Sequence, residues 1–197
     1  RRIFIGTLVV LTIALINGCA NRKITRVDPN ETIDLSGRWN DSDSRLVSEE
    51  MIGDLLTSAW IPRYLKANDK RPVVVVGLVE NKSHEHINSE TFIKDVEKAI
   101  IRDGNIRLVV AGEKRNELRK ERAEQQDYAS PETTKKWGKE LGADFILQGT
   151  INSIVDSYKK QKVVTYQIDL QLTNIETNEV VWMGDKKIKK QISDRVL

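Results

Sequence analysis

One cysteine, two histidines and two methionines are all that a chain of 197 residues carries, and each scarcity excludes something. A lone thiol, Cys19, closes no disulfide within the chain and builds no thiolate metal site. Packing alone must hold the fold. The two histidines stand together in His84-Glu85-His86. In a strand they would point the same way and offer two ligands, but no third follows, so the motif reads as a solvated loop with no metal and no cofactor. Phosphate-cradling glycine loops, Gly-x-Ser-x-Gly elbows and His-Glu-x-x-His helices are all missing. Paired acids such as Glu49-Glu50 fall on the wet face of a helix, and no enzyme is expected. Charge of one sign is scarce too: 32 Lys+Arg against 29 Asp+Glu leave +3, little reason to expect a nucleic-acid partner.

Long apolar runs are also few. Residues 3–16 form one, behind Arg1-Arg2 and ahead of Asn17-Gly18-Cys19-Ala20. A basic start, an apolar middle and small residues at the cut have the layout of a secretory signal. As a helix this run covers about 21 Å at ~1.5 Å per residue, short of a ~30 Å hydrocarbon core, so a spanning anchor is disfavoured. Ile16-Asn17-Gly18-Cys19 resembles a bacterial lipobox, with Asn17 an unusual member. That resemblance implies cleavage between Gly18 and Cys19 and acylation of Cys19. Two or three acyl chains would anchor the protein stably where one would not. Ala20, where retention signals usually place aspartate, points to the outer membrane.

Three parts are expected: a signal at 1–18, a lipid-anchored tether at 19–43, and a domain at 44–197. The tether is polar, holds Pro29 and Gly37, and has no sustained period. Ser44 is expected to cap a helix carrying Val47, Met51, Ile52, Leu55, Leu56 and Ala59 at helical spacing, with Pro62 closing it and a short helical piece at 63–67. Pro72-Val73-Val74-Val75-Val76 suits a strand buried on both faces. Ser89 precedes a helix with Phe92, Val96, Ala99 and Ile100 on one stripe, stopped at Asp103-Gly104. A strand follows at 106–111. Residues 113–127 predict a very polar helix, with only Leu118 and Ala123 to bury. Ser130-Pro131-Glu132 starts another, with Trp137 and Leu141 inward and Gly142 at its end. Residues 145–157, the alternating Val164, Tyr166, Ile168, Leu170 and Leu172, and residues 180–192 make two hairpins turning at 158–162 and at Thr177-Asn178. The fold class is α/β, more closely α+β: one small domain with a mixed sheet, C-terminal hairpins and flanking helices.

Two surfaces suggest contacts. Lys186, Lys187, Lys189 and Lys190 would meet anionic lipid or polymer, or only discourage sheet-to-sheet pairing. Trp39 lies in the polar lead-in, so its ring must dock on the domain or on another protein.

Ser36-Gly37-Arg38-Trp39-Asn40-Asp41-Ser42-Asp43-Ser44 resembles the opening signature of the LpoB-type lipoproteins, activators of penicillin-binding proteins. The likeness continues through Val75-Val76-Gly77 and Glu80-Asn81-Lys82-Ser83-His84-Glu85-His86-Ile87. It resumes at Gly142-Ala143-Asp144-Phe145-Ile146-Leu147-Gln148-Gly149 and at Glu176-Thr177-Asn178-Glu179-Val180-Val181-Trp182. The Gly-Ala-Asp strand is also similar to relatives on the same scaffold, the curli-export lipoprotein CsgG and the TolB N-terminal domain. The resemblance implies a domain anchored by lipid to the outer membrane on its periplasmic side. It implies contact with a class A penicillin-binding protein, whose glycan polymerisation and crosslinking the domain promotes by favouring one state of the synthase. Trp39, Asn40 and Asp41 are candidate partner-binding residues. A subunit of an envelope export or assembly complex, CsgG-like, is the alternative.

Overall fold

The computed structural model describes residues 24–133 and 140–193. The chain divides into two units, Arg1–Glu31 and Thr32–Leu197, and every helix and strand described lies in the second. The helices are α1 (Asp41–Thr57), α2 (Trp60–Asn68), α3 (Ser89–Asp103) and α4 (Gly112–Tyr128). The strands are β1 (Val73–Asn81), β2 (Arg107–Val109), β3 (Phe145–Tyr158), β4 (Gln161–Asn174) and β5 (Val180–Ser193). They form one sheet in the order β2-β1-β3-β4-β5. β1 runs parallel to both β2 and β3, whereas β3, β4 and β5 are antiparallel neighbours. The chain order dictates this mixture: α3 supplies the crossover between β1 and β2, and tight turns join the last three strands. The expected α+β class with C-terminal hairpins is what the chain adopts.

Side-chain alternation decides which face of the sheet is covered. Val164, Tyr166, Ile168, Leu170 and Leu172 of β4 are all buried, together with Phe145, Leu147 and Ile151 of β3. They form one core with Val47, Met51, Ile52 and Leu55 of α1 and Phe92, Val96 and Ile100 of α3. Each such aliphatic or aromatic side chain, fully buried, contributes about 1.5–3 kcal/mol. β1 lies between β2 and β3, and Val73, Val74, Val75 and Val76 are buried in succession. Gly149 allows β3 to approach β4 closely, since a Cβ there would stand 2.1 Å from the Asp169 carbonyl oxygen.

Boundaries depart from expectation at three places. α1 starts at Asp41 with Asn40 as its cap, four residues before a helix capped by Ser44 would begin. Pro62 does not close α1: the break comes at Ser58, and Pro62 sits in the first turn of α2, where its missing N–H would have no helical partner anyway. The indole of Trp60 donates to the Leu55 carbonyl at 2.9 Å and so satisfies the end of α1. β2 is three residues long rather than six. Residues 131–133 form a turn, and residues 140–142 are not helical, with Leu141, expected inward, 44% exposed; the stretch between, Trp137 included, lies outside the described residues, as do Gly18 and Cys19.

Candidate functional site

Three stretches that are distant in sequence converge on Tyr166 of β4. The ring of Trp39 meets it edge-on, with centroids 5.6 Å apart and planes at 67°. His84 stacks against it at 6.3 Å and 20°. The Glu85 carboxylate accepts the backbone N–H of Trp39 at 3.1 Å and lies 3.4 Å from His84 Nε2. On its other side His84 Nδ1 meets the Ser153 hydroxyl at 2.6 Å, and the His84 backbone N–H donates to that same oxygen at 2.9 Å. The Tyr166 hydroxyl is buried without a well-formed hydrogen bond. Burial first, then the nearby Glu85 charge, pushes its pKa far above the ordinary phenol value. The His-Glu-His loop is thus pinned across β3 and β4. Asn81 Nδ2 closes it from within by donating to the Glu85 carbonyl at 2.8 Å. Among the described residues no group of three or more histidine, cysteine or acidic side chains could hold a metal.

An ion cluster, buried at Lys190 and Asp43 and half-exposed at Asp34, ties the lead-in to the last strand. Lys190 Nζ lies 2.6 Å from both Asp34 and Asp43 and donates to the Arg38 carbonyl at 3.0 Å. Its side chain is 10% exposed and that of Asp43 is 7% exposed. Burial opposes the charged amine of Lys190, but the hydrogen bonds and charges of the two aspartates outweigh it and raise its pKa. The hydrogen bond from Lys190 lowers the pKa of Asp34. Asn40 and Asp43 form a reciprocal capping box at 3.0 Å in each direction, and Asn40 also donates to Asp34 at 2.7 Å. Gly37 takes φ +67° where a Cβ would strike Ile192. Residues 32–40, expected in the tether, are therefore strapped onto the domain. Trp39 docks on its own domain, Asn40 caps α1, and Asp41 is an exposed acid in the first helical turn. Ser44 is buried inside α1 and donates to Asp95 at 3.4 Å.

The four lysines of β5 separate by face. Lys186 pairs with Glu50 of α1 and Lys190 with the aspartates, both toward the helices. Lys187 and Lys189 are exposed on the other face and have no ion pair among the described residues. α4 buries no residue. Arg119 grips Glu140 through two 2.9 Å hydrogen bonds and Arg122 adds one of 2.6 Å. These bonds hold the Glu140 carboxyl at a pKa of about 2. An open cavity of about 1240 Å³ lies between α3, β2 and the start of α4. Its charged groups include Lys94 and Glu97, which pair with each other. Residue pattern could not show this cavity, because crossovers assemble it.

The family model described as "Peptidoglycan-synthase activator LpoB" matches residues 43–188. Among solved structures, the LpoB C-terminal domain from Escherichia coli is 18% identical, with a TM-score of 0.44 and coverage of 75% of this chain and 99% of that one. The NMR structure of E. coli LpoB is 13% identical at a TM-score of 0.41, covering 87% and 82%. Lipoprotein GNA1162 from Neisseria meningitidis is 15% identical at 0.38, covering 61% and 83%. No curated protein sequence matches. With the family match extending over most of its 197 residues, the chain belongs to the LpoB family of peptidoglycan-synthase activators, which are regulators rather than enzymes.

Proposed function

We propose that this chain is a lipoprotein, acylated at Cys19, that stands on the periplasmic side of the outer membrane and activates a class A penicillin-binding protein by binding it. The match of residues 43–188 to the family of synthase activators carries this reading. The short apolar run ending at Gly18-Cys19 supports the anchor, and Ala20 supports its sorting. Activation is thermodynamic: a regulator without chemistry of its own accelerates an enzyme only by binding its active state more tightly than its resting state. The cluster around Tyr166 and Lys190 serves this role by fixing the lead-in, Trp39 and Asn40 included. Asp41 stays exposed in the first turn of α1.

The test is reconstitution of the full chain with a purified class A synthase in detergent, following glycan polymerisation and crosslinking. Both rates should rise with the concentration of the chain and saturate. Rates unchanged at saturating chain would sink the activator reading for this partner. Separately, Cys19→Ser should abolish labelling with radioactive palmitate and leave an uncleaved precursor. Normal processing of that variant would overturn the anchor.

A further inference from the structure

β3, β4 and β5 are 14 residues each, whereas β1 has nine and β2 three, so the hairpins outrun the sheet that the helices cover. β1 pairs with β3 only as far as Ile151, and residues 154–158 are all exposed. This outer arm has a distinct chemistry on the face away from the helices. Ile154 is opposite Thr165, which is opposite Lys189; Tyr158 is opposite Gln161. Ile154 and Tyr158 are 69% and 72% exposed. Lys159 and Lys160 make the turn, with Lys159 over the Tyr158 ring at 5.2 Å, and Lys187 and Lys189 flank the face on β5. None of these four lysines has an ion pair among the described residues, and the face carries Asp156 alone as an acid beyond Asp169 and Asp185.

Lysines that only protect a sheet edge explain Lys187 and Lys189. They do not explain a bare isoleucine and tyrosine beside them, which make such an arm more adhesive. Apolar side chains at fixed register, ringed by unpaired cations and by the hydrogen-bonding Thr165 and Gln191, are the anatomy of a protein interface with an acidic counterpart. A membrane approached tip-first would meet Lys159 and Lys160. Ile154 lies about 16 Å further back at ~3.3 Å per residue. We propose that this arm face, centred on Ile154 and Tyr158 and flanked by Lys159, Lys160, Lys187 and Lys189, is where the domain docks on an acidic surface of its synthase. The inference rests on the activator function proposed above and specifies its contact.

The experiment measures binding of the full chain to a purified class A synthase, with Lys159→Glu/Lys160→Glu/Lys187→Glu/Lys189→Glu as the main variant. Circular dichroism checks its fold, and the corresponding lysine-to-glutamine variant covers the case where four reversals disturb the arm. Reversal should weaken binding about 10- to 100-fold at low salt, chiefly by slowing association, with the gap narrowing as salt is added. Ile154→Ser/Tyr158→Ser should instead speed dissociation. The control Lys66→Gln/Lys120→Gln, remote from the arm, should bind as wild type. Wild type that binds and activates while the folded arm variants match it within twofold overturns this surface but leaves the activator reading intact. Wild type that neither binds nor activates overturns both. Arm variants that lose only sedimentation with phosphatidylglycerol–phosphatidylethanolamine vesicles, and still bind the synthase, assign the arm to the membrane and overturn the proposal.

Discussion

Helices α1 and α4 are both 17 residues long and are held by opposite means. α1 opens with Asp41-Ser42-Asp43-Ser44, residues of poor helix propensity, yet it begins in a capping box and buries eight side chains. α4 is rich in Glu, Lys, Arg and Gln, all good helix formers, but no side chain caps its start and none of its residues is buried. Its support comes from spaced charges: Lys120 lies 3.8 Å from Glu124, and Arg119 and Arg122 hold Glu140. One helix is made by the fold around it and the other by its own sequence. Breaking the packing should therefore hurt only the first.

The largest test of that contrast is a matched pair of truncations. Leu55→Ala empties a fully buried site in α1 and should cost about 2–5 kcal/mol, a fall of roughly 5–15 °C in Tm. Leu118→Ala, at a position 49% exposed on α4, should stay within about 0.5 kcal/mol. Equal losses in urea melts of the two variants would end the distinction.

The ion pairs extend the comparison. Lys190→Met leaves Asp43 buried at the first turn of α1 with no cation, and should cost about 3 kcal/mol. The raised pKa of Lys190 means that its contribution is full below 10.5 and is lost as pH rises through the higher folded value. The lowered pKa of Asp34 means that its contribution is present above 3.8 and is lost as pH falls through the lower folded value. The stability gap between wild type and variant should hence be flat around neutrality and shrink at both extremes. A gap that peaks at either extreme would contradict the pairing.

Asn40→Ala comes next, at about 1 kcal/mol for a lost N-cap. It also marks where the sequence stops being legible. Most of the α1 stripe (Val47, Met51, Ile52 and Leu55, with Leu56 half-buried and Ala59 exposed beyond the helix end), the β4 alternation, the Gly104 stop and the polarity of residues 113–127 read correctly, because local period reports a nearby water boundary. The start of α1 did not. Ser42, Asp43, Ser44 and Ser48 are polar yet buried, and two of the four are matched by distant groups, Asp43 with Lys190 and Ser44 with Asp95. Local pattern counts such residues as solvated. The same blindness applied to the lysines of β5, where the pleat turns Lys186 and Lys190 inward and leaves Lys187 and Lys189 out. The quoted 36–44 and 80–87 stretches were visible as a family likeness. Their meeting at Tyr166 was not, because it depends on the register of β3 against β4.

The smallest effect sharpens the account of α4. Glu140→Gln removes the charge that Arg119 and Arg122 share, and all three groups lie at the surface, where screening limits what such a pair adds to global stability. Tm should hardly change. The local readout is backbone amide exchange, which should speed up several-fold around Arg119 and Arg122 and nowhere in α1. Titration supplies the sign. A carboxyl held at about 2 instead of 4.5 keeps its contribution above pH 4.5 and loses it as pH falls through about 2. The amide protection factors of wild-type α4 should therefore hold down to about pH 4.5 and fall progressively toward pH 2, while those of the glutamine variant stay level across that window. A Glu140 side-chain carbon signal that titrates near 4.5 by NMR would mean that the arginines do not grip it in solution. Intrinsic propensity alone would then account for α4, and the contrast with α1 would be wider still.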